Sequence, residues 1–491
     1  MVTMDPCSLP AVEMASLLSA GRISARELLE AHLARIDAVN PAVNALVTLT
    51  PEAAFAQAAR ADEAHADGES LGLLHGLPVA HKDLAMTAGV RTTFGSRVFA
   101  DFVPDTDSLL VERQRLAGAV SVGKTNTPEF GAGSHTFNEV FGTTLNPYDL
   151  DRTCGASSGG AAVALATRML PLCDGSDLGG SLRNPAAFCN IVGFRPSPGR
   201  VPTTTAHDAW FPLSVEGPMA RTVPDVALYL RAMAGPDPRA PLSIAESPDT
   251  FAGPLQRDLS GVRVAWSPDA GGLPVEAAVR AALAPVPDIL SNLGCEVVEA
   301  WPDLSDAPSI FQARRAWQFA LRFGPLLADH RHRMKDTVVW NIERGLSMTV
   351  ADYAEACRRH TSLFGRVGEF MSPDGSGFEF LACPVTQVVP FPVGVEYPTE
   401  IEGVRLETYI DWMQSCSNIT VTTHPAISVP AGFTDEGLPV GLQIVGRHHA
   451  DRAVLELARA WESVTEWGTT APPTRDVRPP GRTIPHGYAA P

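Results

Sequence analysis

Ser and Gly crowd into two nearby stretches of this chain. One is Cys154-Gly155-Ala156-Ser157-Ser158-Gly159-Gly160. The other is Asp174-Gly175-Ser176-Asp177-Leu178-Gly179-Gly180-Ser181. Small residues let backbone N–H groups come close to a substrate. Gly179-Gly180 directly before Ser181 can aim several N–H groups at one point, as an oxyanion hole requires. Pro185 follows at a spacing suited to the first turn of a helix. Gly-rich turns often just join elements, but two of them linked by a helix and a strand make that the weaker reading. A Ser nucleophile also needs a base. In Gly76-Leu77-Pro78-Val79-Ala80-His81-Lys82-Asp83 the lysine closes a short apolar run. A lone Lys is usually a solvated surface charge. One directly after an apolar strand is more often desolvated, and desolvation lowers its pKa. Unperturbed, only about one Lys in a thousand would be neutral at pH 7.

Three other motif matches are weaker. Residues 118–125 fit GxxxxGK[ST] letter for letter. A phosphate cradle needs a flexible loop between strand and helix. Here Ala119-Val120-Ser121-Val122 reads as strand, and Thr125-Asn126-Thr127-Pro128 does not open a helix. Lys124 is therefore expected to be a surface or structural cation. Ser121 and Lys124 also form an SxxK match, but the accompanying KTG is absent. Gly155-Ala156-Ser157-Ser158-Gly159 fits GxSxG, the nucleophile elbow of Ser-His-Asp esterases, with His207 and His424 downstream. An elbow needs a buried strand before its Ser. Residues 146–154 instead read as a polar, Pro-containing loop.

The elements that must position these residues are a mixture of strands and helices. The first 70 residues or so read as helical. Ser24 and Glu27 form a capping box, Leu28, Leu29, Leu33 and Ile36 share one face, and Asn40-Pro41 ends the helix. Short strands are expected at 77–80, 119–122 and 169–173, with helices at 161–167 and 223–234. Residues 235–261, rich in Pro and Asp, are the linker candidate. Beyond them, 262–266, a helix near 274–293, and 296–300 form a β-α-β unit, which implies parallel pairing. Helices fill 307–367. Strands at 426–430 and 438–445 flank a turn, and a helix follows near 451–461. The Pro-rich end, 476–491, is expected to be an extended tail. The fold class is α/β, one large mixed sheet between helical layers.

Composition narrows the function. The 491 residues are 45% hydrophobic and 19% charged, with a net charge of −17. That balance argues against nucleic acid, whose phosphates need a basic face. No secretory signal and no apolar run of about 18 residues is found, so no membrane span is expected. Eight scattered Cys without a CxxC pair read as reduced cytosolic thiols rather than a zinc site or disulfide framework. The 13 His show no metal-ligand spacing.

With these residues in view, the chain resembles the amidase signature hydrolases. The resemblance runs through 76–83, 123–130, 155–160, 175–185 with Phe188-Cys189, 192–202, 216–223 and 425–446. It implies the family's fold over 71–475, with 1–70 as a helical segment packed on it. It implies a Ser–Ser–Lys triad of Lys82, Ser157 and Ser181, with Ser157 on a cis peptide. It places the oxyanion hole on the backbone N–H groups of Leu178, Gly179, Gly180 and Ser181. One departure is Ala156, where the family more often has Gly. No metal or organic cofactor is implied. The expected partner is a small-molecule amide, with no nucleic acid and no membrane, and a homodimer is an open expectation. The A subunit of a tRNA-dependent amidotransferase is the alternative within the family, although its usual mid-chain segment is not seen in 307–367. A free-standing bacterial-type amidase fits best.

The expected substrate is a neutral, bulky amide of aromatic character, with aryl carbamates included. The resemblance sets Gly131, Ala132, Gly133 and Ser134 beside the triad as substrate-binding residues together with Ser157, and their small size leaves room. The stretches around Trp210-Phe211 and 317–323 offer aromatic walls. The net charge disfavours anionic substrates unless a local Arg reverses it.

Overall fold

The computed structural model describes residues 5–69, 71–205 and 207–473. The expected tail at 476–491 lies outside them. One mixed sheet of eleven strands organises the described chain. In chain order the strands are β1 (Leu46–Leu49), β2 (Pro78–Lys82), β3 (Val120–Thr125), β4 (Leu172–Asp177), β5 (Val192–Arg195), β6 (Val215–Ala220), β7 (Arg263–Trp266), β8 (Glu296–Glu299), β9 (Phe380–Pro384), β10 (Ala426–Phe433) and β11 (Pro439–Gly446). Their order in the sheet is β1-β3-β2-β4-β6-β5-β10-β11-β9-β7-β8. β2 pairs in parallel with both β3 and β4. β7 pairs in parallel with β8 and β9. The remaining pairs are antiparallel. The α/β class and the β-α-β unit expected near 262–300 are both present.

Burial explains why the central strands read as they do. All five residues of β2 and all six of β3 are buried, so neither alternates polar with apolar. The helix Gly159–Ala166 is apolar all round and buried at every position, as a helix inside a core must be. It packs against β4. Gly160 permits this approach, since a Cβ there would stand 2.3 Å from the Asn126 amide nitrogen and 2.6 Å from the Ala45 carbonyl oxygen.

Several expectations need correction. Residues 46–49 form an edge strand paired antiparallel with β3, not part of a purely helical segment. The helix Ala25–Val43 does begin with the Ser24/Glu27 capping box, but it runs through Pro41 to an Asn44 cap in the left-handed region. The Asn40 side chain accepts from the Ala45 and Leu46 N–H groups, at 2.9 Å each, which locks the exit into β1. β3 continues through Gly123, Lys124 and Thr125, where a phosphate loop would have to be. Lys124 is fully buried and binds the Ala85 carbonyl and Thr87 Oγ1 (2.8 Å), so it is a structural cation.

Candidate active site

Three segments meet where β2 and β4 end. β2 delivers Lys82, only 2% exposed, with its backbone N–H on Asp174 Oδ1 at 2.9 Å. His81 Nδ1 lies 2.7 Å from the other oxygen of that carboxylate. The Lys82 Nζ sits 2.7 Å from Ser157 Oγ, 2.9 Å from Ser158 Oγ and 3.1 Å from Ser176 Oγ. Burial pulls the Lys82 amine down to about 7, against the opposing pull of Asp177, Asp174 and Glu216. Ser157 is 3% exposed and follows a cis Ala156–Ser157 peptide. The Ser158 N–H donates to the Ser181 carbonyl at 3.2 Å, so the two Ser/Gly segments lie against each other. Ser181 is half-buried and, like Ser157 and Ser176, lines a cavity of about 640 Å³.

A buried charge cluster shapes the turn that carries Ser181. Arg183 Nε and Nη2 each lie 2.9 Å from an oxygen of Asp177, forming a bidentate pair. Arg195 Nη1 donates to the Asp177 carbonyl at 2.6 Å. The carboxylate also accepts from the Gly180 N–H at 2.9 Å and the Leu182 N–H at 3.2 Å. Burial alone would push this carboxyl up. Arg183 and Arg195 outweigh it and hold Asp177 well below the usual carboxylate range. Gly180 has φ of 115°, and a Cβ there would lie 2.6 Å from the Cys416 Cβ. Both the conformation and the space therefore demand Gly.

Of the four backbone N–H groups expected to form an oxyanion hole, that of Gly180 donates to Asp177. Among the described residues, the N–H groups of Leu178, Gly179 and Ser181 have no acceptor, and Leu178 and Ser181 line the cavity. The expected substrate residues also divide. Gly131 and Ser157 line the cavity. Ala132 is fully buried away from it, and Gly133 packs against Lys335 and Pro128. Ser134 accepts from Trp412 Nε1 at 2.6 Å and donates to the Tyr409 carbonyl at 3.0 Å. These three support the wall rather than face the cavity.

Phe94, Phe130, Phe211, Phe319 and Phe323 line the cavity. Phe130 and Phe323 stack with centroids 4.3 Å apart. Phe211, Phe319 and Phe323 come from the two stretches expected to supply aromatic walls, whereas within those stretches Trp210 is 69% exposed and Trp317 packs on Tyr353 at the surface. Sequence reading missed Ser158, Ser176, Asp177, Arg183, Glu216 and Arg322. The first three sit inside the Ser/Gly segments already singled out. Among the described residues, no histidine hydrogen-bonds to Ser157 or Ser181, and no group of His, Cys, Asp and Glu is arranged to hold a metal. His424 is buried with Nδ1 2.8 Å from the Thr422 carbonyl. No described helix is long and apolar enough to cross a membrane.

Known proteins share this architecture. The family model described as Amidase matches residues 27–455. An acylamidase of Rhodococcus erythropolis is 36% identical over 94% of this chain and 97% of its own. The A subunit of the glutamyl-tRNA(Gln) amidotransferase from Chloroflexus aurantiacus is also 36% identical, over 93% and 96%. Among solved structures, a bacterial aryl acylamidase of the amidase signature family superimposes with a TM-score of 0.88, at 28% identity over 97% of this chain and 99% of that one. A 6-aminohexanoate cyclic dimer hydrolase gives 0.84 at 26% identity, over 96% and 100%.

Proposed function

Since this chain belongs to the amidase signature family and is an amide-hydrolysing enzyme, we propose that it works through Ser181 as nucleophile, Ser157 as proton relay and Lys82 as base. The observation that carries this reading is a buried amine, down to about 7, lying 2.7 Å from Ser157 Oγ. A neutral Lys82 takes the Ser157 proton while Ser157 takes that of Ser181. The Ser181 oxygen attacks the carbonyl carbon, and the unbonded N–H groups of its turn receive the developing oxyanion. The proton now on Lys82 passes back through Ser157 to the nitrogen, the C–N bond breaks, and the amine leaves. Water then gives a proton to the same relay and attacks the acyl ester, which releases the acid and restores Ser181. Every step uses this chain's own residues.

The substrate in this proposal is a bulky or aryl amide, extending to aryl carbamates, whose carbonyl is attacked in the same way and which also release an amine. The five phenylalanines of the cavity and the acylamidase relatives support this class. A second reading, the A subunit of a tRNA-dependent amidotransferase, is favoured by the relatives of that name. Free cysteines, seven of the eight buried, support a cytoplasmic setting. The test is turnover by the isolated chain. Acetanilide and a matched aryl carbamate should be hydrolysed, and Ser181→Ala should abolish both. If glutamine is the sole amide consumed, and only with partner subunits added, the second reading replaces the first.

A further inference from the structure

Two charged side chains of the cavity wall take no part in the relay. Glu216 comes from β6, where the ladder sets it opposite Ser176. Arg322 comes from the helix Ala307–His330 and lines the same cavity. Its side chain is exposed to solvent within the cavity. Among the described residues, neither the Arg322 guanidinium nor the Glu216 carboxyl has a hydrogen bond or ion-pair partner; Phe323 is stacked 5.1 Å from Arg322. Neighbouring Arg315, by contrast, is spent on Asn341 Oδ1 at 3.1 Å and Tyr409 Oη at 2.7 Å. Glu216 and Arg322 sense each other's charge without touching. With no acceptor supplied by the protein, the Arg322 guanidinium keeps all its donors free for a ligand that enters the cavity.

We propose that Arg322 and Glu216 form a subsite for a carboxylate carried by the amide substrate at a point remote from the scissile bond. This inference rests on the amidase reading of the cavity. The guanidinium fork matches a carboxylate in a bidentate way. Glu216 in its protonated form offers an O–H donor to the same group. Burial first, and then Asp174, push Glu216 up to about 8, against Lys82 and Arg322. Near neutral pH the pair is thus all donors and carries positive charge. The charge of −17 that repels anions at long range is reversed locally. Above about pH 8 Glu216 ionises, offsets Arg322 and repels the substrate carboxylate. The groups that face Glu216 are Lys82 from β2, Asp174 from β4 and Arg322. Asp107, His207, Asp208 and Arg315 line more of the same wall.

The experiment compares kcat/KM within two matched anilide pairs. On the acyl side, glutaranilic acid is set against hexananilide. On the amine side, 4-acetamidobenzoic acid is set against 4-methylacetanilide. At pH 7 the carboxylate member of at least one pair should be preferred about tenfold or more, the yield of one charge-assisted contact. Arg322→Met should bring that ratio toward one through the KM of the carboxylate substrate. In the wild type the ratio should fall as pH rises through about 8, and in Glu216→Gln it should persist to about pH 9. Titration of Lys82 cancels within each ratio. Turnover of the neutral anilides with no preference, or a preference that survives Arg322→Met, overturns the subsite and leaves the amidase reading standing. Failure to hydrolyse any of the four overturns the amidase reading, and the subsite falls with it.

Discussion

Acid should silence this enzyme at a pH set by the burial of Lys82. Only the neutral amine can accept the Ser157 proton, and burial brings its pKa to about 7 from an ordinary 10.5. At pH 7.4 this makes the neutral amine about a thousandfold more abundant than for a solvated lysine. For an uncharged anilide, kcat/KM should be about half its plateau near pH 7, about a tenth at pH 6 and about a hundredth at pH 5. The same burial has a sign in stability. The folded-state pKa lies below the unfolded one, so burying the amine destabilises the fold fully below about pH 7, and this cost fades as pH rises toward 10.5. Lys82→Met should therefore raise the melting temperature near pH 6 and gain less near pH 10. The ceiling is on the order of 5 kcal/mol, reduced by the hydrogen bonds lost to three serines. Rate profiles from pH 5 to 9.5 and melts of both proteins provide the assay. A flat rate profile, or an inflection near 10, refutes the neutral-base account.

Lys82→Ala should lower kcat on anilides by more than the ~10²–10⁴ typical of one acid–base group, because two proton transfers depend on it; near-wild-type turnover would exclude the role. Asp177→Asn leaves Arg183 and Arg195 buried around a neutral amide, which should cost about 3–5 kcal/mol in denaturant unfolding and displace the Ser181 turn. Calorimetry with ATP and magnesium should show no heat, since Lys124 lies within a buried strand and is committed to Ala85 and Thr87; micromolar binding lost in Lys124→Ala would contradict that. Because phenylalanines line the cavity, kcat/KM for an anilide should exceed that for propionamide, and the reverse order would show that the aromatic wall does not select substrate.

Local chemistry was readable where it resides in consecutive residues. The Ser24/Glu27 cap, the apolar run ending at Lys82 and the two Ser/Gly segments are patterns within about ten positions, and the structure draws 82, 157 and 176 into one hydrogen-bonded cluster. β5 and β6 were harder to read as strands. β5 is four residues with a Gly, β6 carries Gly and Pro, and both are almost wholly buried, so no period of two marks them. β1 escaped notice because four residues between helices carry too little pattern to outweigh their surroundings. The fate of Ala132, Gly133 and Ser134 depended on where Trp412, Tyr409 and Lys335 arrive from far along the chain. The same holds for Glu216 and Arg322, which only the folded cavity brings together.

The central claim is that Ser181 becomes acylated, and trapping the adduct tests it most directly. A serine-reactive fluorophosphonate, followed by digestion and peptide mass spectrometry, should place a single adduct on Ser181. It should be absent from Ser181→Ala and strongly slowed in Lys82→Ala. An adduct on Ser157 with Ser181 unmodified would contradict the account.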